Sequence, residues 1–555
     1  SRSYRCCGRG ITVKLSPKLT LLGGLATVSS LIAVLFSGEN RDFFADKTLL
    51  RRSYQNWLPL WAPEINTPSY TDNHSQTVVD SYGYTFHYIS HLVSRLVAFV
   101  FGEDPNAFSS TSVMTQNALI AIVGVLGCWA VGLVCREMLQ SRRAELVGIL
   151  GTFFLPLWLG HSWMNQKDVP FAVGFACATA VATLAVHLSR GEQATRAKKY
   201  ELAVSAFFAL SLTFGTRPGL SILILPLLAF AVWHVYRHGQ EMLKPLTIAI
   251  YAAVAFVLIT NPASIPNPIG WAWNGVVVGR DFTGYAGDVL FDGRLIGSRK
   301  LGWWFLFKSL ITSMPLVALL GMITGAVFLI LLAIRGSLWK TLPVTYHAVV
   351  VAAVVMGLSS NNYNVGRQYI FIVLGWQMIA VVGLCWMITF TNNHLRKASQ
   401  IAIVILAGYL LVDHVSMFPY QYVYRNEIAR RVDNFPESVE FDYWGMAGRD
   451  LVSAIPDEPN LVIYFGSGDR VFGGKYTSQS GQPFVPQGST VLNDGGPWKS
   501  ADNKPVVDYV PWLHYWPPST DFWFREPLTN CTIVDSAYAV MPPQRVLLGS
   551  LYKCR

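Results

Sequence analysis

The sequence predicts an α-helical polytopic membrane protein, with about eleven transmembrane helices and a small C-terminal extracytoplasmic α/β domain. Three observations carry that expectation. Of 555 residues, 52% are hydrophobic and only 14% charged, with a mean hydropathy of +0.35, a profile typical of chains that cross a bilayer repeatedly. The apolar residues gather into runs, each long enough to cross about 30 Å of hydrocarbon as a helix. Lys and Arg collect in alternate connections between those runs, as the positive-inside bias requires.

Taken in order, the runs are 18–37, 114–134, 145–161, 169–188, 201–216, 219–236, 245–261, 310–334, 343–359, 369–390 and 400–417. The first follows a basic N-terminal segment, as a cleaved signal would. It exceeds a usual signal core and lacks a small-x-small site, so it is expected to be an uncleaved anchor. With the N-terminus inside, "CREMLQSRRAE", "SRGEQATRAKK", "YRHGQEMLK", "RGSLWK" and "TNNHLRKAS" all fall on the cytoplasmic side. The net charge of +10 therefore reflects topology in the plasma membrane and gives no reason to expect nucleic acid.

Two external connections are long. Residues 38–112 end in "YGYTFHYISHLVSRLVAFVFG", whose helical spacing of apolar residues reads as an interfacial amphipathic helix. Residues 262–309 are dense in Pro, Gly and Trp and read as an ordered interfacial loop. After the last run, 418–555 form the external domain, with a helix near 445–454 followed by a strand at "NLVIYFG". The expected division is thus a membrane core over 1–417 and an extracytoplasmic domain over 418–555. Cys531 and Cys554 are the only cysteines of that tail, which leaves open either a terminal disulfide or two thiols. The other six cysteines, Cys6, Cys7, Cys128, Cys135, Cys177 and Cys385, have no metal-ligand spacing and read as small buried hydrophobes or reduced thiols.

Charges at the edge of the hydrocarbon cost free energy unless paired or solvated, so their positions carry information. On the external face they are Arg41, Asp42, Asp46 and Lys47; Asp80; the group His161, Asn165, Lys167 and Asp168; Arg217; Lys308; and Arg367. Isolated cations mixed with carboxylates suit a lipid-phosphate-linked donor. Arg and Lys hold the phosphate, and a carboxylate takes the proton of an acceptor hydroxyl. No Walker loop or dinucleotide fingerprint is present, so nucleotide-driven transport has no support. A secondary transporter or lipid flippase is the competing reading. It calls for ionisable groups at mid-membrane and related halves, whereas the spans hold almost no acid beyond Asp413.

"GHSWMNQKDVPFAVGF" resembles the Gly-His-x-x-x-Asn-Pro-Lys-Asp-x-Pro-Phe loop of the GT-C superfamily, in the family 39 or protein-mannosyltransferase-like branch of membrane glycosyltransferases that use polyprenyl-phosphate sugars. "DSYGYTFHYISHLV", "DVLFDGRLIGSRKLGWWFLFKSLITSMPL" and "FPYQYVYRNE" with "VEFDYWGMAGRD" are similar to further stretches of that family, in the same order. Gln166, Met314 and Arg425 depart from its usual Pro, Thr and Phe, and Asp42 and Asp46 stand where an Asp-Glu dipeptide is frequent.

The resemblance implies transfer of a sugar from a polyprenyl-phosphate carrier to an extracytoplasmic protein, lipid or glycan acceptor, with inversion. Asp42 or Asp46 would be the base, and Lys167 with Asp168, the latter a further catalytic candidate, would form the donor-side wall. Asn165, His161 and Asp80 would line the substrate, although a structural role suits His161 better. Arg217, Lys308 and Arg367 are phosphate candidates by chemistry and topology. Asp442, Tyr443 and Trp444 would lock the external domain to the core. A divalent metal is left open, because two carboxylates four residues apart specify no coordination sphere.

Overall fold

The structure, a computed structural model, describes residues 17–36, 82–103, 110–188, 195–261, 264–280, 288–358, 362, 364–389, 392–432, 447–458, 460–464, 490–492, 507–513 and 531–554. Asp42, Asp46, Asp80, Asp442, Tyr443 and Trp444 lie outside the described residues.

The chain is a mostly helical, multi-pass membrane protein. In order, its helices are α1 (Pro17–Phe36), α2 (Thr85–Val100), α3 (Ser110–Leu139), α4 (Arg142–Phe153), α5 (Pro156–Ser162), α6 (Asp168–Leu188), α7 (Arg196–Phe214), α8 (Pro218–Ser221), α9 (Leu225–His238), α10 (Leu243–Thr260) and α11 (Pro268–Arg280). A hairpin of β1 (Asp288–Phe291) and β2 (Arg294–Gly297) follows. Then come α12 (Trp303–Thr312), α13 (Leu316–Leu332), α14 (Leu338–Thr345), α15 (Val351–Leu358), α16 (Ile370–Met387) and α17 (Asn393–Met417).

Among the described residues, eight helical stretches are long and apolar enough to cross a membrane; α4 and α5, bent by 68° to each other, make a ninth if counted together. Two expected spans account for the difference from eleven. Helix α7 carries Arg196, Lys198, Lys199 and Glu201 in its first turns, so it is too charged at that end to qualify by composition. The runs expected at 310–334 and 343–359 fall in one stretch of 43 residues, Leu316–Leu358. That is about twice what a crossing requires, and the stretch bends at Gly336, whose φ of +79° lies where glycine meets no Cβ penalty.

Helix α6 is the axis of the bundle. Every residue of its apolar window is buried, and it packs on α3, α7, α9 and α16. Helices α13 and α16 approach through glycines: a Cβ on Gly383 would stand 2.0 Å from the Gly321 carbonyl oxygen and 2.3 Å from the Gly325 nitrogen. Such small-residue crossings trade side-chain bulk for close backbone packing in lipid. At the end of α6 away from Asp168, an ion network joins α1, α3, α4 and α7. Arg136 takes both carboxylate oxygens of Glu201 (3.0 and 2.6 Å), and Lys18 pairs with Glu145 and Glu201.

Beyond α17 the chain builds α18 (Ala447–Ser453), β3 (Val462–Tyr464), β4 (Thr490–Leu492), β5 (Tyr509–Leu513), β6 (Thr532–Met541) and β7 (Gln544–Lys553). They form a mixed sheet of order β4-β3-β5-β7-β6, with β3 parallel to both neighbours and β7 antiparallel to both of its own. A disulfide joins Cys531 to Cys554 across the open end of the β6–β7 hairpin, which decides between the two readings of that pair. Asp413, near the end of α17, is fully buried and bonded bidentately by Arg430 (2.9 and 2.6 Å). Burial works against the Arg430 charge, but the Asp413 carboxylate more than offsets it and holds the guanidinium above its usual value. Arg430 also donates to the Pro542 carbonyl (3.0 Å) at the tip of that hairpin.

Candidate functional site

The loop between α5 and α6 is organised by Asn165. Its Oδ1 accepts from the backbone nitrogens of Asp168 (2.9 Å) and Lys167 (3.3 Å), capping the start of α6. Its Nδ2 donates to Asp168 Oδ2 (2.9 Å) and faces His161 Nδ1 at 3.3 Å. The other oxygen of Asp168 accepts from Arg217 Nη2. Asp168 is therefore a buried carboxylate engaged at both oxygens, at a helix N-terminus that favours its charge. Gln166 donates to Gln116 Oε1 on α3 (3.2 Å), a bond that Pro at this position could not make.

Arg217 reaches this loop because of a backbone clamp. Gly83 N donates to the Thr216 carbonyl (3.0 Å) and Thr85 N to the Gly215 carbonyl (2.9 Å). A Cβ on Gly83 would stand 2.4 Å from the Gly215 carbonyl carbon and oxygen, so only glycine permits the approach. Asn261 completes the joint, accepting from Tyr84 N (2.6 Å) and donating to Thr85 Oγ1 (2.9 Å). The consequence is that the Tyr82 ring lies 5.6 Å from Arg217 Cζ and 5.8 Å from Lys167 Nζ.

The clamp leads directly into α2, which is the expected amphipathic helix with its polar side turned inward. Thr85, His87, Ser90 and Ser94 are buried, while Leu92, Leu96, Phe99 and Val100 are exposed. An apolar face turned away from the protein suits the membrane interface. His91 on this helix is lowered to about 4, first by burial and then by the charge of Arg95. The segment around α11 and α12 behaves alike, with Ile269 and Trp273 of α11, and Trp303 and Trp304 of α12, exposed.

The remaining candidates divide into two groups. His161 feels the charges of both Asp168 and Arg367, which puts Arg367 in the neighbourhood of the Asp168 cluster. His161 is itself fully buried and packs edge-on to Tyr422. Lys308 is held elsewhere: it donates to Asp292 Oδ1 (2.6 Å) in the β1–β2 turn and sits over Phe291. Among the described residues no group of three or more His, Cys, Asp or Glu side chains could hold a metal ion. Tyr82, Gly83, Gly215 and Asn261 were not among the candidates read from the sequence. "DSYGYTFHY" drew attention through Asp80, but its glycine between two tyrosines was the signal for a close backbone approach.

No family model and no curated protein matches this chain. Among solved structures it is similar to ArnT from Cupriavidus metallidurans bound to undecaprenyl phosphate, at 12% identity and a TM-score of 0.42 over 96% of this chain and 98% of that one. It is also similar to the oligosaccharyltransferase AglB from Archaeoglobus fulgidus in complex with an inhibitory peptide and a dolichol-phosphate, at 12% identity and a TM-score of 0.38 over 89% and 69%.

Proposed function

We propose that the chain is a GT-C type membrane glycosyltransferase that moves a sugar from a polyprenyl-phosphate donor to an acceptor on the extracytoplasmic face. The observation that carries the reading is the meeting of Lys167, Asp168 and Arg217, beside Arg367, at one end of a helical bundle whose α2 turns an apolar face outward. Cations gathered at the depth of lipid headgroups, and fixed by a buried carboxylate, suit a phosphate held there by charge-assisted hydrogen bonds.

In this reading Asp42 or Asp46 removes the proton of the acceptor hydroxyl. The hydroxyl oxygen attacks the anomeric carbon from the face opposite the phosphate, and the sugar–phosphate C–O bond breaks with inversion. The developing phosphate charge falls to Lys167, Arg217 and Arg367, while Lys308, paired with Asp292, is left out of this contact. Asp168 orients Arg217, while Asn165 and His161 shape the wall and Asp80 the acceptor side. The finer assignments are eleven spans, a plasma-membrane location with the N-terminus inside, an external domain over 418–555 and the protein-mannosyltransferase-like branch. They rest on charge distribution and on the motif resemblance.

The test is transfer by the purified full chain in nanodiscs, supplied with labelled polyprenyl-phosphate sugars and candidate acceptors. Asp42→Asn, Asp46→Asn and Asp168→Asn are compared at matched expression. Transfer falling at least 100-fold in Asp168→Asn and in one of the other two supports the reading; wild-type rates in all three overturn it.

A further inference from the structure

An aromatic face attracts a cation through its quadrupole but brings no countercharge. Lys167 and Arg217 come from segments fifty residues apart in sequence, yet both lie within 6 Å of the centre of the Tyr82 ring. Like charges that close repel, and something must hold them. Asp168 holds Arg217 from one side, and Asn165 fixes Asp168 in turn. A carboxylate in the place of Tyr82 would also hold the two cations, but it would spend the charge that an anion needs.

From this arrangement we infer that Tyr82 is a positioning residue of the lipid-phosphate site, its ring setting Lys167 and Arg217 for one phosphate group. The inference rests on the polyprenyl-phosphate reading above and deepens it. Tyr82 is itself placed by backbone, through the Gly83–Thr216 and Thr85–Gly215 hydrogen bonds. Changing its ring therefore leaves the segment anchored, so the role of the ring can be separated from that of the clamp.

The experiment titrates undecaprenyl phosphate into the purified full chain, as wild type, Tyr82→Leu, Tyr82→Phe, Lys167→Met and the Tyr82→Leu/Lys167→Met double variant, with the unfolding midpoint of each recorded. Two lost cation–ring contacts weaken binding by about tenfold in Tyr82→Leu. Tyr82→Phe, which keeps the ring, restores affinity to within about twofold. In the Lys167→Met background Tyr82→Leu costs less than in wild type, which a merely structural role would not produce. Tyr82→Gln replaces Tyr82→Leu if that variant does not fold. Wild-type affinity in the ring-less variants, or Tyr82→Phe as weak as Tyr82→Leu, overturns the inference while leaving the polyprenyl-phosphate reading intact. Absence of saturable binding by the wild type overturns both.

Discussion

Asn165 does two jobs with one amide. Its oxygen caps α6, and its nitrogen holds Asp168 in the orientation that meets Arg217. Losing a cap costs about 1 kcal/mol, whereas loosening the carboxylate that holds the guanidinium proposed to bind phosphate should cost more in activity than in stability. Asn165→Ala is therefore expected to lower the unfolding midpoint slightly and transfer by tenfold or more. Asn165→Ser keeps an acceptor for the cap but has no amide nitrogen to hold Asp168, so it should regain stability and not transfer. Steady-state rates beside thermal unfolding of both variants decide the point, and equal losses in rate and stability would count against it. At this scale much was legible, because Lys167, Asp168 and Arg217 are charges at the ends of apolar runs, where charge needs a reason. Tyr82 was not legible. Its contact with residues 167 and 217 depends on a glycine–glycine approach: Gly83 between two tyrosines hints at a close contact, but nothing in the chain says that Gly215 is the partner.

Among elements, the 82–85 segment and the turn after α7 act as one joint, and its tolerance to substitution follows from space. A methyl group on Gly83 would meet backbone, which cannot rotate away. Gly83→Ala is expected to cost about 1–3 kcal/mol by overpacking and to weaken undecaprenyl phosphate binding at least as much as Tyr82→Leu does, by parting Tyr82 from Arg217. Gly408→Ala, on an exposed face of α17 with nothing within 4 Å of the added methyl, should be neutral or slightly stabilising and serves as the control. Binding and unfolding measured on the pair separate a local clash from a general intolerance of alanine. The period of "YGYTFHYISHLVSRLV" predicted α2 and its amphipathic character, because apolar spacing records that a helix has two faces. The direction each face turns is set by packing, which put Ser90 and Ser94 inside. The same limit applies to spans: hydropathy located the apolar runs, but the bend at Gly336 and the polar start of α7 are matters of backbone and charge.

For the whole molecule, the tail and the bundle are joined at a buried point. Arg430 binds Asp413 of α17 and the carbonyl of Pro542 between β6 and β7, while Gln544 returns a bond to the Arg430 carbonyl (3.0 Å). Nearby, Asn426 donates to the carbonyls of Ile311 in the last turn of α12 and of Met314 just after it (both 3.0 Å), and Arg425 to Ser313 Oγ (2.7 Å). In the sequence Asp413 stood out as a lone acid in a span, but its partner lies in "ARRVD", which reads as an ordinary solvated charge run. Only the fold shows which arginine turns inward. A buried pair is costly to break from one side, since the remaining charge is left in a poorly solvated place, whereas replacing both partners by apolar residues is often mild. Asp413→Asn and Arg430→Met alone are each expected to cost about 3–5 kcal/mol and to expose the β6–β7 hairpin to protease. The Asp413→Leu/Arg430→Met double variant should recover much of that loss in thermal unfolding and regain protection. If the double variant proves as unstable as either single one, the hydrogen bonds from Arg430 to Pro542 and the Arg425 carbonyl (2.6 Å), and not the ion pair, hold the tail against the membrane core.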